Sequence, residues 1–263
     1  MRQVRSLGAL PRSPQMRAQC QVGAPCALPV GSGSVVQKIA FVRNQQAKPS
    51  CVGQSVASCV DAVIASDAFP VSAVHIWIDA RRRQNDLEGA LDGTRVEYAL
   101  ASIVNRGVDR YSSIEDVQDT SLDVELPTLM AELEADAHRL QVNHYAIVDN
   151  RSTQVRQALQ AGHGVVMCTG VGGAYFDIAF NKVATPVELD PSYITAGHAQ
   201  RVFAYFDDLG LFGVVNSWGQ TWGGFALSGT STGTPALYNG CVLVEPAVIE
   251  NAWDIDVFDL TGT

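Results

Sequence analysis

The spacing of apolar residues changes once along this 263-residue chain, and that change restricts the fold more than any other feature of the sequence. Up to about residue 161 apolar positions recur at helical spacing. After Gly162 they fall into short β-rich runs separated by Gly, Asp and Asn. Following Pro49-Ser50, the residues Val52, Val56, Cys59, Val60 and Val63 form one helical stripe with Ser50 as N-cap, which places Cys51 in the first turn. A second helix is expected from Ser72 to about Arg83, with Val74, Trp77 and Ile78 inward and Arg81-Arg82-Arg83 as a solvated, dipole-favoured C-terminus. Thr94-Arg95-Val96-Glu97 reads as a capping box for a third helix that Gly107 ends. Two more helices are expected over residues 127–139 and 152–161, then strands over 165–169, 199–206, 211–217 and 241–245, with 228–239 a loop or hairpin tip. Helices first and strands later is an α+β arrangement, not the alternation of a parallel sheet.

Charge narrows the function. The chain carries 18 basic and 27 acidic residues, a net −9, which argues against nucleic acid as a partner. Yet residues 1–60 hold seven Lys or Arg and no Asp or Glu, so the expectation is a basic, extended arm over residues 1–35, a surface for a protein partner, ahead of one domain over 36–263. The arginines and prolines of the first 17 residues leave no apolar core for a secretory signal. No 18-residue apolar stretch follows, so no membrane is implied and the expected location is cytoplasmic, or one reached without a secretory signal. The six cysteines are too sparse for a disulfide scaffold and form no C-x-x-C pair, so no metal is expected. Cys59, Cys168 and Cys241 read as core.

Cys51 is different because unpaired N–H groups and the dipole at a helix start favour a thiolate. Among the five histidines, His75, His138 and His144 lie in or beside expected helices and His163 follows a helix-ending Gly. His198 instead occupies the small-residue turn Thr195-Ala196-Gly197-His198-Ala199 leading into a strand. A hairpin turning at Asp207-Asp208-Leu209-Gly210 would bring Asn216 beside it, giving the ring an amide oxygen to orient it.

These residues resemble the papain-like cysteine protease family. Gln45 precedes Cys51 by six residues, Gly197-His198-Ala199 opens a strand, and Asn216-Ser217-Trp218-Gly219-Gln220-Thr221-Trp222-Gly223 matches the family's N-S-W-G-x-x-W-G string. The separations fit too, with 147 residues from Cys51 to His198 and 18 from His198 to Asn216. The likeness covers about residues 40–255 and suggests a divergent bacterial or viral-type member without a propeptide. It implies a two-lobed fold, helical over about 45–145 and β over about 146–255. It also implies a thiol protease acting on peptide or protein substrates without a cofactor. In that family's terms Cys51 is the nucleophile, His198 the base and then acid, and Asn216 its orienter. Gln45 is an oxyanion donor, Trp218 shields the His198–Asn216 bond, and Gly197 borders the site.

Several positions depart from the family pattern. Val52 stands where a Trp usually follows the nucleophile, Lys48 replaces a half-cystine, and residues 224–238 read as an insertion. Only 50 residues precede Cys51, fewer than an inhibitory propeptide of domain-like size, so control by location or a partner is expected. Arg43 and Lys48 are close enough in sequence to Cys51 to stabilise its thiolate. The rivals are a catalytically silent papain-like binding or structural protein of a larger assembly and a Cys-His acyltransferase or deamidase. For the latter, the third residue would generally be Asp.

Overall fold

In the computed structural model, which describes residues 9–10, 33–63, 70–84, 93–108, 141–186, 189, 197–227 and 236–261, helix α1 spans Cys51–Val63. The Ser50 carbonyl accepts the Gln54 N–H at 2.9 Å and its hydroxyl accepts from Gln54 Nε2 at 3.2 Å. Instead of one buried stripe, every residue from Cys51 to Asp61 is buried. Gly53, Ser55, Ala57 and Ser58 are small enough to admit neighbours all round, the condition for a central helix. At Gly53 an added Cβ would stand 2.4 Å from the Ala73 carbonyl oxygen, so two helices touch through their backbones there.

That partner is α2, Ala73–Arg83, capped by Ser72 Oγ accepting from His75 N–H at 3.1 Å. Its basic end is not merely solvated. Arg83 Nε pairs with Asp79 at 2.7 Å, and Arg81 lies over Trp77 at 5.3 Å. Helix α3 covers Val96–Asn105, and the expected capping box does not form, because Arg95 is the N-cap and makes no side-chain cap bond. Thr94 is one position too early, held in a β-bridge, and its hydroxyl donates to Gln84 Oε1 at 3.2 Å. The helix expected over 127–139, together with His138, lies outside the described residues.

The remaining strands and helices follow in chain order. Strand β1 is Val35–Val36, β2 Gln141–Ala146, then α4 Arg151–Gln160, β3 Gly164–Gly170, β4 Val183–Ala184, β5 Gly197–Phe206 and β6 Leu211–Val215. Then come β7 Phe225–Leu227, β8 Ala236–Tyr238, β9 Cys241–Val244, α5 Pro246–Asn251 and β10 Asp254–Thr261. Among the described residues the main sheet has eight strands, ordered β2-β10-β3-β5-β6-β9-β4 with β1 added to β5, and of these pairings only β4–β9 is parallel. This is an α+β fold.

Strand β3 shows why the sheet is central. Val165 and Met167 pack with Val155 and Leu159 of α4, whereas Val166 and Cys168 face Val52, Val56 and Cys59 of α1. Side chains alternate across a strand, so a run apolar at every position is buried on both sides. Strands β2 and β10 were not among the expected ones. They place His144 on a strand, with its Nε2 2.6 Å from Asp256 Oδ1. Cys59, Cys168 and Cys241 are buried and unbridged, and burial pushes the Cys59 and Cys241 thiols up to about 12. Cys20 and Cys26 lie outside the described residues.

Candidate active site

Cys51 is the first residue of α1 and is fully buried. The β5 backbone reaches it directly, since the Ala199 N–H donates to Cys51 Sγ at 3.5 Å. His198 is the residue just before Ala199, on the strand that packs against α1. The β5–β6 hairpin, with Arg201 opposite Val215, then sets Asn216 just past the end of β6. His198 Nε2 and Asn216 Oδ1 are 2.7 Å apart.

The proton on this imidazole can be assigned by elimination. Asn216 Oδ1 accepts the Ser217 N–H at 2.7 Å, which fixes it as the carbonyl oxygen of the amide, an acceptor only. Nε2 must then be the donor in the neutral ring, leaving Nδ1, which is buried without a hydrogen-bond partner, as the basic nitrogen. Burial pushes the His198 pKa down to about 4, partly opposed by the bond to Asn216. Trp218 stacks on the ring at 4.6 Å between centroids and 20° between planes. Phe176 in turn stacks on Trp218 at 5.2 Å between centroids and 11° between planes, so the indole is itself held in place.

Gln45 is tied to the same strand end. Its N–H donates to the Ser217 carbonyl at 2.8 Å, its Oε1 accepts from Ser217 Oγ at 2.6 Å, and its Nε2 donates to the Lys48 carbonyl at 2.8 Å. Gln46 at φ 52 turns the chain back toward α1. Sequence reasoning passed over Ser217, although it sits between two residues singled out for roles, inside the most specific string. Arg43 is engaged by a carboxylate. Its Nη2 pairs with Asp61 Oδ2 at 2.5 Å and donates to the Val71 carbonyl at 2.8 Å, so its charge is committed to a buried carboxylate. Gly197 is the first residue of β5, next to His198.

No known protein-family model matches the chain, and no curated protein matches its sequence. Solved structures do match. Xylellain, a cysteine protease from Xylella fastidiosa, superposes with a TM-score of 0.70 at 16% identity, over 100% of this chain and 98% of its own. A cysteine protease from Carica candamarcensis gives 0.59 at 15% identity, over 90% and 100%. The digestive procathepsin L 3 of Tenebrio molitor gives 0.59 at 15%, over 92% and 75%.

This chain has the papain-like fold. Its departures from the papain-like sequence pattern have structural counterparts. Val52 is fully buried within the α1 cluster, and Lys48, also buried, offers its carbonyl to Gln45. In the stretch 224–238, β7 and β8 pair antiparallel, with Phe225 stacked on Tyr238 at 4.8 Å. Among the described residues no group of three His, Cys, Asp or Glu side chains is placed to hold a metal ion, and no helix is long and apolar enough to cross a membrane.

Proposed function

We propose that this chain is a cysteine-type peptidase, and the bond between His198 Nε2 and Asn216 Oδ1 under the Trp218 ring is the observation that carries the reading. A histidine meant only to fill a core needs no fixed tautomer. Here the amide oxygen orients the ring so that Nδ1 remains the base, on the strand whose next residue donates to Cys51 Sγ. In the reaction Nδ1 takes the Cys51 proton and the thiolate adds to the carbonyl carbon of a peptide bond. The oxyanion is met by the Cys51 backbone N–H and the Gln45 carboxamide. Collapse breaks the C–N bond as His198 returns the proton to the leaving amine. Water, deprotonated by His198, then hydrolyses the thioester and regenerates the thiol. Asn216 stabilises the imidazolium by accepting its Nε2 proton, and Trp218 keeps competing water from that bond.

The test pairs two endpoint measurements. An epoxysuccinyl thiol-protease inhibitor, incubated to completion under reducing conditions, is expected to add one adduct at Cys51 by mass spectrometry and none in Cys51→Ala. A quenched peptide library is expected to be cleaved by the wild type and by neither Cys51→Ala nor His198→Ala. An intact library after complete labelling of Cys51 would leave a reactive thiol without peptidase activity and overturn the reading.

A further inference from the structure

We infer that a single small anion of the halide class, such as chloride, binds in a buried cavity beside Asn216 and clamps the amide that orients His198. The binding stands on the cavity alone, whereas its effect on turnover rests on the peptidase reading. The cavity has a volume of about 10 Å³, room for a single small occupant. It is lined by Arg43, by Ser55 and Ser58 of α1, and by Asn216 and Ser217 just past β6. Two of these side chains carry donors that nothing accepts. Arg43 Nε and Nη1 and Asn216 Nδ2 are buried without a hydrogen-bond partner, in residues each 2% exposed. Arg43 engages only Nη2, with Asp61 and the Val71 carbonyl, and Asn216 engages only Oδ1, with His198 and Ser217. Buried polar groups left unmet in this way call for an occupant that meets them.

The unmet groups are all donors, guanidinium and amide N–H. A water would bring hydrogens of its own to place, whereas a halide brings none. Charge favours the ion as well. Arg43 is balanced by Asp61 at 2.5 Å. Arg201, 0% exposed, is not balanced in this way, because it donates to the Ser58 carbonyl at 2.9 Å, the Ser58 hydroxyl at 3.5 Å and Gln37 Oε1 at 3.1 Å, all neutral. Ser58 also lines the cavity, so this guanidinium is one side chain away from it. A buried charge without a counterion is costly, and a monovalent anion supplies one. Among the described residues no Asp or Glu lines the cavity to repel it. With the ion bound, Asn216 is held at both ends. Its Oδ1 accepts from Ser217 and His198, and its Nδ2 donates to the anion. Turning the amide over would then break every one of these bonds, so the tautomer with Nδ1 basic is maintained.

The experiment follows urea unfolding of the full chain at fixed ionic strength while chloride replaces gluconate, an anion too large for the cavity. With a dissociation constant of about 1 mM, about 100 mM chloride lowers the unfolding constant about a hundredfold, and bromide does the same. Two variants should lose this response. Ser55→Val adds a methyl group at the cavity wall, and Arg43→Lys keeps a charge for Asp61 while removing both unmet nitrogens. A wild type indifferent to the exchange, or a folded Ser55→Val variant that responds in full, overturns the proposal. Crystals grown in bromide test it without any variant. Anomalous scattering from the cavity is expected, and an ordered water there instead overturns the proposal. Peptide cleavage is then titrated with chloride, and kcat should rise over the same range as stability with KM little changed. Stabilisation without that rise, in a chain that cleaves, overturns the clamp on Asn216. Halide-dependent stability with no cleavage in any salt keeps the ion site and removes the peptidase. Cleavage with neither kcat nor stability responding to halide does the reverse.

Discussion

Asn216 Oδ1 holds two donors at once, the Ser217 N–H and His198 Nε2, and this double use makes the residue sensitive to replacement. Asn216→Ala frees the ring to turn and to change tautomer. Steady-state kinetics are expected to show kcat reduced by about 10²-fold with KM little changed, as for loss of a group felt mainly in the transition state. His198 also gives a pH prediction. Its folded pKa is pushed down to about 4 from 6.5 by burial, so between those values the unfolded chain binds a proton that the folded chain refuses. The stability associated with the neutral ring is therefore complete above the unfolded value and is lost as pH falls through the folded one, on the order of 3 kcal/mol. Urea unfolding of wild type and His198→Gln across that interval should show the wild type losing more stability toward acid. Parallel curves would contradict the assignment.

At the scale of elements, the α1–α2 contact decides where the thiol sits. Gly53 brings α1 against the Ala73 carbonyl and the Trp77 Cβ, at 2.4 and 2.9 Å from where its own Cβ would be. Gly53→Ala should destabilise the fold by about 1–3 kcal/mol despite the better helix propensity of Ala, because overpacking against backbone has no cheap relief. The midpoint of urea denaturation measures this. Helix starts were readable from local chemistry where Ser50 and Ser72 stand. The capping box failed at Thr94 because a distant strand-like contact claimed its backbone. Strand β10 was missed for a related reason. Asp254 and Asp256 alternate with Ile255 and Val257, but Phe258-Asp259 breaks the period, and the three acids disguise the strand as a loop. Asp256 is nonetheless buried, and His144 on β2 meets it.

At the scale of the whole molecule, buried ion pairs tie together parts that are far apart in sequence. Asp61 near the end of α1 holds Arg43 and accepts the Val71 N–H at 2.8 Å, so the segment before the nucleophile, the nucleophile helix and the approach to α2 share one carboxylate. Asp61→Ala leaves Arg43 buried without its partner and should cost about 3–5 kcal/mol in denaturant unfolding. Combining it with Arg43→Met should recover much of that loss, since the penalty comes from the orphaned charge.

The chain by itself determined helices α1 to α4, strands β3, β5, β6 and β9, and the residue types of the candidate site. Apolar period and capping are local, and the Gln45, Cys51, His198 and Asn216 strings carry their spacing with them. Tertiary structure decided what local pattern cannot encode. It set which charges neutralise one another, as Arg43 pairs with Asp61, and it buried α1 on every side. It also laid Ala9 and Leu10, about forty residues ahead of the nucleophile in a stretch with no period to read, across Thr94 and Gly197. Such contacts depend on closing long loops and on the shape of both surfaces, and neither is written in any one segment.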